Sequence, residues 1–182
     1  MVDLNNAFFK HIAKICLIAG KAILEEYEKT NPKFSLKKDS SPVTEADLRA
    51  DEIIVENLQK IDVRIPCLSE ESACFEDNQY SDVFWAIDPL DGTKEFLKKT
   101  GDFTVNIGLI KENKPIFGIV YAPVFDILWI GCLNAHTKTR ESFRCERASE
   151  HPNPLINSKK ISVHTPLDQI NILTSRSHPS VK

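Results

Sequence analysis

Apolar positions in the first thirty residues recur with the period of an α-helix. From Leu4 to Tyr27 they are spaced three and four residues apart, and lysines and glutamates occupy the positions between them. This pattern predicts an amphipathic helix over residues 3 to 29. Pro32 marks its end, because proline cannot continue a helix.

A second helix is predicted to begin near Thr44, after the polar connector "SLKKDSSPVT". Thr44 can cap the first turn, and Asp47 completes a start that resembles a capping box. The acid also lies where the helix dipole favours a negative charge. The apolar face of this helix consists of Ile53, Ile54, Leu58 and Ile61.

From residue 63 the apolar period changes to that of β-strands. Short β-branched and aromatic runs are separated by turn residues, namely "VRIPCLS", "VFWAID", "FTVNIGLI", "KPIFGIVYAPV" and "DILWIGCL". Residues 134–160 are polar with little periodicity, and we interpret them as a long excursion or a poorly ordered loop. Two more strands are predicted within residues 160–176. The order predicts an α+β fold, with two long N-terminal helices packed on one face of a largely antiparallel sheet.

Composition narrows the classes of function. The chain has 182 residues, 42% of them hydrophobic, and a net charge of −3, which argues against a nucleic-acid-binding module. Its apolar runs are all shorter than the roughly 18 residues that would span a bilayer. The N-terminus carries charges inside its apolar region, unlike a secretory signal. Five scattered cysteines without a C-x-x-C pair indicate reduced thiols in a cytosolic protein.

Acidic residues follow two of the predicted strands and begin the second helix. Glu70 and Glu71 come after "IPCLS", Asp88 and Asp91 come after "FWAI", and Asp47 lies in the first helical turn. If the two strands are neighbours, four carboxylates meet in one small region. Mg²⁺ takes oxygen ligands and would relieve their repulsion. A plain surface turn remains the alternative, because Asp-Pro and Asp-Gly are common turn formers.

The turn at Asp88 and Asp91 offers three further groups. The carbonyl of Leu90 can reach a metal ion. Gly92 permits a backbone conformation that other residues resist, and the hydroxyl of Thr93 can hold a water molecule.

Three motifs resemble those of one known family. "WAIDPLDGTKEF", "SPVTEAD" and "LSEES" are similar in sequence and order to the motifs of the inositol monophosphatase superfamily of magnesium-dependent, lithium-sensitive phosphatases. "DGTKEF", "GDFTVNIGLI" and "KPIFGIVYAPV" are similar to the 3′(2′),5′-bisphosphate nucleotidases of the CysQ type. The resemblance covers nearly the whole chain and implies a sugar-phosphatase-like fold.

The resemblance implies a role for each matching residue. Mg²⁺, as two or three ions in the full-length family, would be bound by Glu70, Asp88, the Leu90 carbonyl and Asp91. Thr93 with Glu70 would activate the attacking water, and Asp47 would orient Thr93. The substrate phosphate would contact Glu70, Leu90, Asp91, Gly92 and Thr93. Lys37 and Glu71 are weaker candidates, and Lys38 is a rival to Lys37.

The implied reaction removes the 3′-phosphate of adenosine 3′,5′-bisphosphate, or of 3′-phosphoadenylyl sulfate. The expected partner is a small phosphorylated nucleotide and not a nucleic acid polymer. The expected location is the cytoplasm, with peripheral association at the inner membrane as an option. Hydrolysis of an inositol phosphate is the alternative within the same class.

Residues 1–157 would form the metal-binding domain, and residues 158–182 would begin a truncated C-terminal domain. The family has a further metal-binding aspartate in a tryptophan-aspartate motif of its second domain, and this chain ends before such a motif. We therefore expect weakened metal binding and little turnover. The exposed strand edge would favour self-association. A catalytically dead, metal-binding half-protein is the alternative from another class.

Overall fold

The computed structural model describes residues 6–30, 32–37, 42–72, 82–133 and 139–162. Within them the chain forms three α-helices, nine β-strands and one 3₁₀ turn. The predicted strand "INILTSRS" and the rival lysine, Lys38, lie outside the described residues.

Two long helices come first, as the sequence predicts. Helix α1 spans Asn6–Tyr27 and helix α2 spans Glu45–Ile61. The capping box at the start of α2 is confirmed, since the Thr44 side chain accepts from the first turn and the Thr44 amide donates to Asp47 at 2.8 Å. None of the helices in the described ranges has the length and apolar character needed to cross a membrane.

The strands form one large sheet and one small hairpin. Their bounds are β1 (Phe34–Leu36), β2 (Pro42–Thr44), β3 (Cys67–Ser69), β4 (Val83–Asp91), β5 (Thr104–Lys111), β6 (Lys114–Ala122), β7 (Ile127–Leu133), β8 (Arg140–Glu146) and β9 (Lys159–Lys160), with a short helix α3 (Thr93–Leu97) after β4. Strands β1 and β2 pair with each other, and the other seven follow one another in chain order. Among the strands of the described ranges only β3 and β4 run parallel to each other, so the sheet is largely antiparallel.

The core lies between the helices and one face of this sheet. Along β5 every second side chain is buried, the alternation expected of a strand with one covered face. Aromatic rings join the two layers, with Phe8 of α1 stacked on Trp85 of β4 and Phe9 stacked on Phe117 of β6. The predicted α+β arrangement is confirmed.

The interpretation of residues 134–160 as one long excursion is wrong for a central part of that stretch. Residues 140–146 form β8, which pairs with β7 along its whole length. The strand was missed because its only apolar side chains are Phe143 and Cys145, set among charged residues. The strand is stabilised by pairing with a neighbouring strand and by the complete burial of Cys145, and neither is visible in the local sequence pattern.

Two smaller features were not predicted, whereas strand β9 overlaps the start of the predicted strand "KISVHT". The connector before α2 contains the hairpin β1–β2, and α3 follows β4 with no predicted counterpart. Strand β9 pairs with β8 and so extends the large sheet past residue 157. The proposed domain boundary at that residue remains a prediction.

We predict that a side chain at position 20, where α1 crosses β6, destabilises the protein. A Cβ atom there would collide with the Tyr121 ring, which is almost fully buried and held by a hydrogen bond from its hydroxyl to Asp126. In an unobstructed helix Gly→Ala stabilises by up to about 1 kcal/mol. Here Gly20→Ala should instead destabilise by about 1 to 3 kcal/mol, because the packed ring has to move.

Urea unfolding of the variant measures this difference. Lys21→Ala, at an exposed position of the same helix, is the matched control and should not destabilise the protein. A stabilised Gly20→Ala variant would show that α1 and β6 are not packed as described.

Candidate functional site

The parallel pair β3–β4 gathers the acidic residues at one edge of the sheet. Parallel strands place their carboxyl ends side by side, and here Ser69 is paired with Ile87. The Glu70 amide donates to the Ile87 carbonyl at 3.1 Å, which fixes the first residue after β3 beside Asp88. The condition set for a carboxylate cluster, that the two strands are neighbours, is therefore met.

The segment from Asp88 to Asp91 is a bulge in β4 and not a turn that follows a finished strand. Asp88 is opposite Asn106 and Asp91 is opposite Thr104, so β4 holds one residue more than β5 between these pairs. The side-chain amide of Asn106 donates to Asp91 Oδ2 at 3.1 Å. Thr104 Oγ1 donates to Asn106 Oδ1 at 3.0 Å, and this orients the amide. The sequence did not single out either of these two partners.

Gly92 turns the chain from the bulge into α3. Its φ angle is +99°, and an added Cβ would lie 2.9 Å from the carbonyl oxygen of Asp102. Both the left-handed conformation and the close backbone exclude other residues. The prediction that Gly92 adopts a backbone conformation that other residues resist is therefore confirmed. Thr93 follows as the first residue of α3.

Asp47 of α2 holds Thr93 in place. Thr93 Oγ1 donates to Asp47 Oδ1 at 3.1 Å and lies 3.4 Å from the Leu90 carbonyl oxygen. The other oxygen of Asp47 accepts from Thr44 through the backbone amide at 2.8 Å and the hydroxyl at 2.5 Å. Asp47 is only 1% exposed, so its position is set by these bonds.

The carboxylates raise one another's proton affinity. Burial first, and then the charges of Glu70 and Asp91, raise the pKa of Asp88 from 3.8 to about 7. Burial also raises the pKa of Asp47 and of Glu71. The Oδ1 atom of Asp88 is buried and has no hydrogen-bond partner, which is rare for a polar atom.

Lys37 is the cation nearest to this cluster in the described residues. Its Nζ lies 2.7 Å from Glu70 Oε1 and 2.7 Å from Glu71 Oε1. Burial lowers the pKa of Lys37, but the hydrogen bonds to both glutamates outweigh burial and raise it. The lysine therefore stays charged and neutralises part of the cluster. Of the two glutamates, Glu71 is the more enclosed, with its side chain 6% exposed.

The predicted residues are brought together in two groups. Thr93, Asp47 and the Leu90 carbonyl form one, and Lys37 with the two glutamates forms the other. Across the described ranges, no three His, Cys, Asp or Glu side chains are arranged to hold a metal ion as they stand. All the same, the oxygen donors and the unpartnered Asp88 Oδ1 fit the needs of a hard cation such as Mg²⁺.

Two residues that the sequence did not single out, Asp51 and Ser69, support the glutamate group. Ser69 Oγ donates a short hydrogen bond to Asp51 Oδ1, and both side chains are buried. The available signal was the spacing, because Asp51 is four residues after Asp47 and so on the same face of α2.

The fold is thus a helix layer on a mostly antiparallel sheet, with oxygen donors at the carboxyl ends of the parallel pair β3 and β4. The sequence profile of the inositol monophosphatase family matches residues 5–181. The chain therefore belongs to the inositol monophosphatase family, as its three motifs predict.

Individual relatives agree with this assignment. The 3′(2′),5′-bisphosphate nucleotidase CysQ of Buchnera aphidicola is 40% identical over 97% of this chain and 63% of its own length. The CysQ protein of Salmonella typhimurium is 43% identical over 66% of this chain and 50% of its own length. The crystal structure of CysQ from Bacteroides thetaiotaomicron superposes with a TM-score of 0.71 at 32% identity, covering 94% of this chain and 65% of that one. The chain thus spans between half and two thirds of the length of these relatives.

The raised pKa of Asp88 predicts that metal-free protein loses stability as the pH rises. A carboxyl group with a higher pKa in the folded state binds its proton preferentially there. Its contribution is complete below about pH 4 and is lost as the pH rises through about 7. Asp88→Asn should therefore flatten this slope and stabilise the protein near pH 8 by about 1 to 2 kcal/mol, after allowance for screening by solvent.

Urea unfolding between about pH 4 and pH 8 in the presence of a chelator tests this expectation. Glu112→Gln, at the exposed β5–β6 turn, is the control and should keep the original slope. An Asp88→Asn protein less stable than wild type near pH 8 would contradict the repulsion described here.

Proposed function

We propose that this chain carries the metal-binding half of a Mg²⁺-dependent phosphatase that removes the 3′-phosphate of adenosine 3′,5′-bisphosphate. 3′-Phosphoadenylyl sulfate is a further candidate substrate. The observation that carries the proposal is the buried, unpartnered Asp88 Oδ1 inside a cluster of carboxylates. A hydrogen-bond donor or a cation is the missing partner of such an atom, and the repulsion around Asp88 favours a cation.

Four groups would bind Mg²⁺, namely Glu70, Asp88, the Leu90 carbonyl and Asp91. When bound, the metal would lower the pKa of a water molecule and neutralise the charge that develops on the phosphate. The contact with Lys37 uses Oε1 of Glu70, so Glu70 can offer its other oxygen to the metal. Asp91 is already held by Asn106, which leaves its second oxygen for the metal.

Thr93 is suited to orient the attacking water. Its single hydroxyl proton is directed to Asp47 and the Leu90 carbonyl, so the lone pairs of Oγ1 remain to accept. A water molecule that donates to Thr93, with Glu70 as its second partner, has a lone pair free to attack phosphorus. Asp47 thus acts by fixing which way the Thr93 hydroxyl points.

The backbone from residue 90 to residue 93 would contact the phosphate. Gly92 allows this segment to approach a ligand closely because it has no side chain in the way. Backbone amides after Asp91 would donate to the phosphate oxygens, and such donors stabilise charge in phosphoryl transfer.

The choice of substrate rests on the relatives. The curated relatives described above are named 3′(2′),5′-bisphosphate nucleotidases, and this chain shares with the CysQ type the lysine at position 94 in "DGTKEF". An inositol phosphate is the alternative substrate. A location in the cytoplasm remains a prediction.

Phosphate release tests the proposal directly. The 182-residue chain is incubated with adenosine 3′,5′-bisphosphate, with adenosine 5′-monophosphate and with an inositol monophosphate, each with and without Mg²⁺ and with added Li⁺. Release from the bisphosphate alone, dependent on Mg²⁺ and inhibited by Li⁺, supports the proposal. Preference for the inositol phosphate would replace the substrate and keep the chemistry.

Calorimetric titration of the same chain with Mn²⁺ covers the case in which it does not turn over. Mn²⁺ binding without turnover would identify a half-site that needs groups beyond this chain, which is also the behaviour of a catalytically dead metal-binding half-protein. Absence of both metal binding and turnover would reject the proposal for this chain.

Asp91→Asn should abolish the function while leaving the fold intact. The substitution removes one anionic ligand but keeps the shape of the side chain at an exposed position. Because loss of groups that merely support a ligand weakens metal sites by about 10- to 100-fold, loss of the ligand itself should lower Mn²⁺ affinity by more than about 100-fold. Calorimetry measures the affinity, and Glu112→Gln serves as the carboxylate-to-amide control far from the site. Equal affinity in Asp91→Asn and wild type would remove Asp91 from the ligand set.

A further inference from the structure

We infer that Asp51 is a positioning residue for the acidic site, acting through Ser69 on the turn that carries Glu70 and Glu71. This inference deepens the proposed function and rests on it only for the consequence on metal affinity. The arrangement of Asp51, Ser69 and Glu71 itself is read from the structure.

The first observation is the burial of two carboxylates one turn apart on α2. Asp47 is 1% exposed and Asp51 is 7% exposed. Neither forms an ion pair with a Lys, Arg or His among the residues that the structure describes. Burial of a carboxylate disfavours the folded state unless hydrogen bonds compensate for it, so each of these groups needs a partner to persist.

The second observation is the hydrogen-bond donor of each carboxylate. Asp47 accepts from Thr93, which follows the bulge of β4. Asp51 accepts from Ser69, the last residue of β3. Adjacent turns of one helix are therefore attached to the ends of two neighbouring strands, the same two ends that bear the acidic residues.

Ser69 passes the constraint on to the glutamates. Its hydroxyl donates to Asp51 and at the same time accepts from the Glu71 amide at 3.4 Å. With the proton committed to Asp51, the lone pairs of Ser69 Oγ are directed towards that amide. Without Asp51 the hydroxyl could rotate to another acceptor, and the Glu71 amide would lose a fixed partner.

Strand β3 lies at one edge of the large sheet within the described residues. It is three residues long and is the first strand of the large sheet, paired in the described residues only with β4. The Glu70 amide bond to Ile87 fixes one point of the turn, and Ser69 fixes the next. The consequence is that α2 sets the distance between Thr93 and Glu70, the two groups proposed to orient one water molecule.

Four single variants and one double variant test the inference. Asp51→Ala and Ser69→Ala each remove one end of the hydrogen bond. Asp51→Asn keeps an oxygen that can accept from Ser69. Ile54→Val removes one buried methylene from the same helix away from the site, and it controls for a general loss of stability.

Two readouts are compared among the variants, one in the metal-free protein and one from its titration with metal. One is the hydrogen exchange rate of the Glu71 amide, measured by nuclear magnetic resonance, with the Ala46 amide as an internal control for the start of α2. The other is the Mn²⁺ dissociation constant from calorimetry.

The expected result separates positioning from stability. Asp51→Ala and Ser69→Ala should accelerate exchange at Glu71 but not at Ala46, and should weaken Mn²⁺ binding by about 10- to 100-fold. The double variant should be no worse than either single variant, because both act through one bond. Asp51→Asn should recover most of the loss, and Ile54→Val should change neither readout.

The inference is overturned if Asp51→Ala leaves Glu71 exchange at the wild-type rate, or if the effects of Asp51→Ala and Ser69→Ala add. If Asp51→Ala does not fold, Asp51→Leu takes its place, since it also removes the acceptor of the Ser69 hydroxyl but fills the buried space. If the wild-type protein binds no Mn²⁺ but the variants show the expected exchange effects, the proposed function is rejected and the positioning role stands. If the wild type binds Mn²⁺ and Asp51→Ala changes neither the affinity nor the exchange, the positioning role is rejected and the proposed function stands.

Discussion

The parallel pairing of β3 with β4 is the constraint on which the site depends. In a fully antiparallel sheet, neighbouring strands end at opposite edges. Here the two strands that precede acidic residues end together, and Glu70 is fixed beside Asp88 by a backbone hydrogen bond to Ile87. The one residue that β4 holds in excess of β5 then presents the Leu90 carbonyl and Asp91 at the same edge.

Such a concentration of negative charge has to be offset in the folded protein. Three kinds of interaction do so within the described residues. Lys37 forms ion pairs with both glutamates, buried hydrogen bonds stabilise Asp47, and Asp88 keeps its proton up to about pH 7. Of these three interactions, only the one at Asp88 leaves a polar atom, Oδ1, without a hydrogen-bond partner. The unmet interaction in this cluster is therefore centred on Asp88, where we propose that the cation binds.

Sequence reasoning succeeded where a local pattern decides the structure. The helical period gave α1 and α2, the capping box placed Asp47, and the acids after two apolar runs located the candidate site. It failed where distant pairing decides. Strand β8 has only two apolar residues, and the contact between Asp51 and Ser69 joins positions 18 residues apart. No periodicity within either segment carries that information. The bulge at Asp88 was interpreted as a turn for the same reason, because only the register with β5 distinguishes the two.

Helix α2 links the fold to the site. Its apolar face, with Ile54 and Leu58 fully buried, fixes it on the sheet. Because the same packing sets the depth of its first two turns, Asp47 and Asp51 reach Thr93 and Ser69 without any adjustment of the loops between them. Rigid elements hold such groups more accurately than loops do. The packing of α2 thus supports the geometry of the acidic edge, and a core substitution large enough to shift this helix, unlike Ile54→Val, should alter the site without touching a single carboxylate.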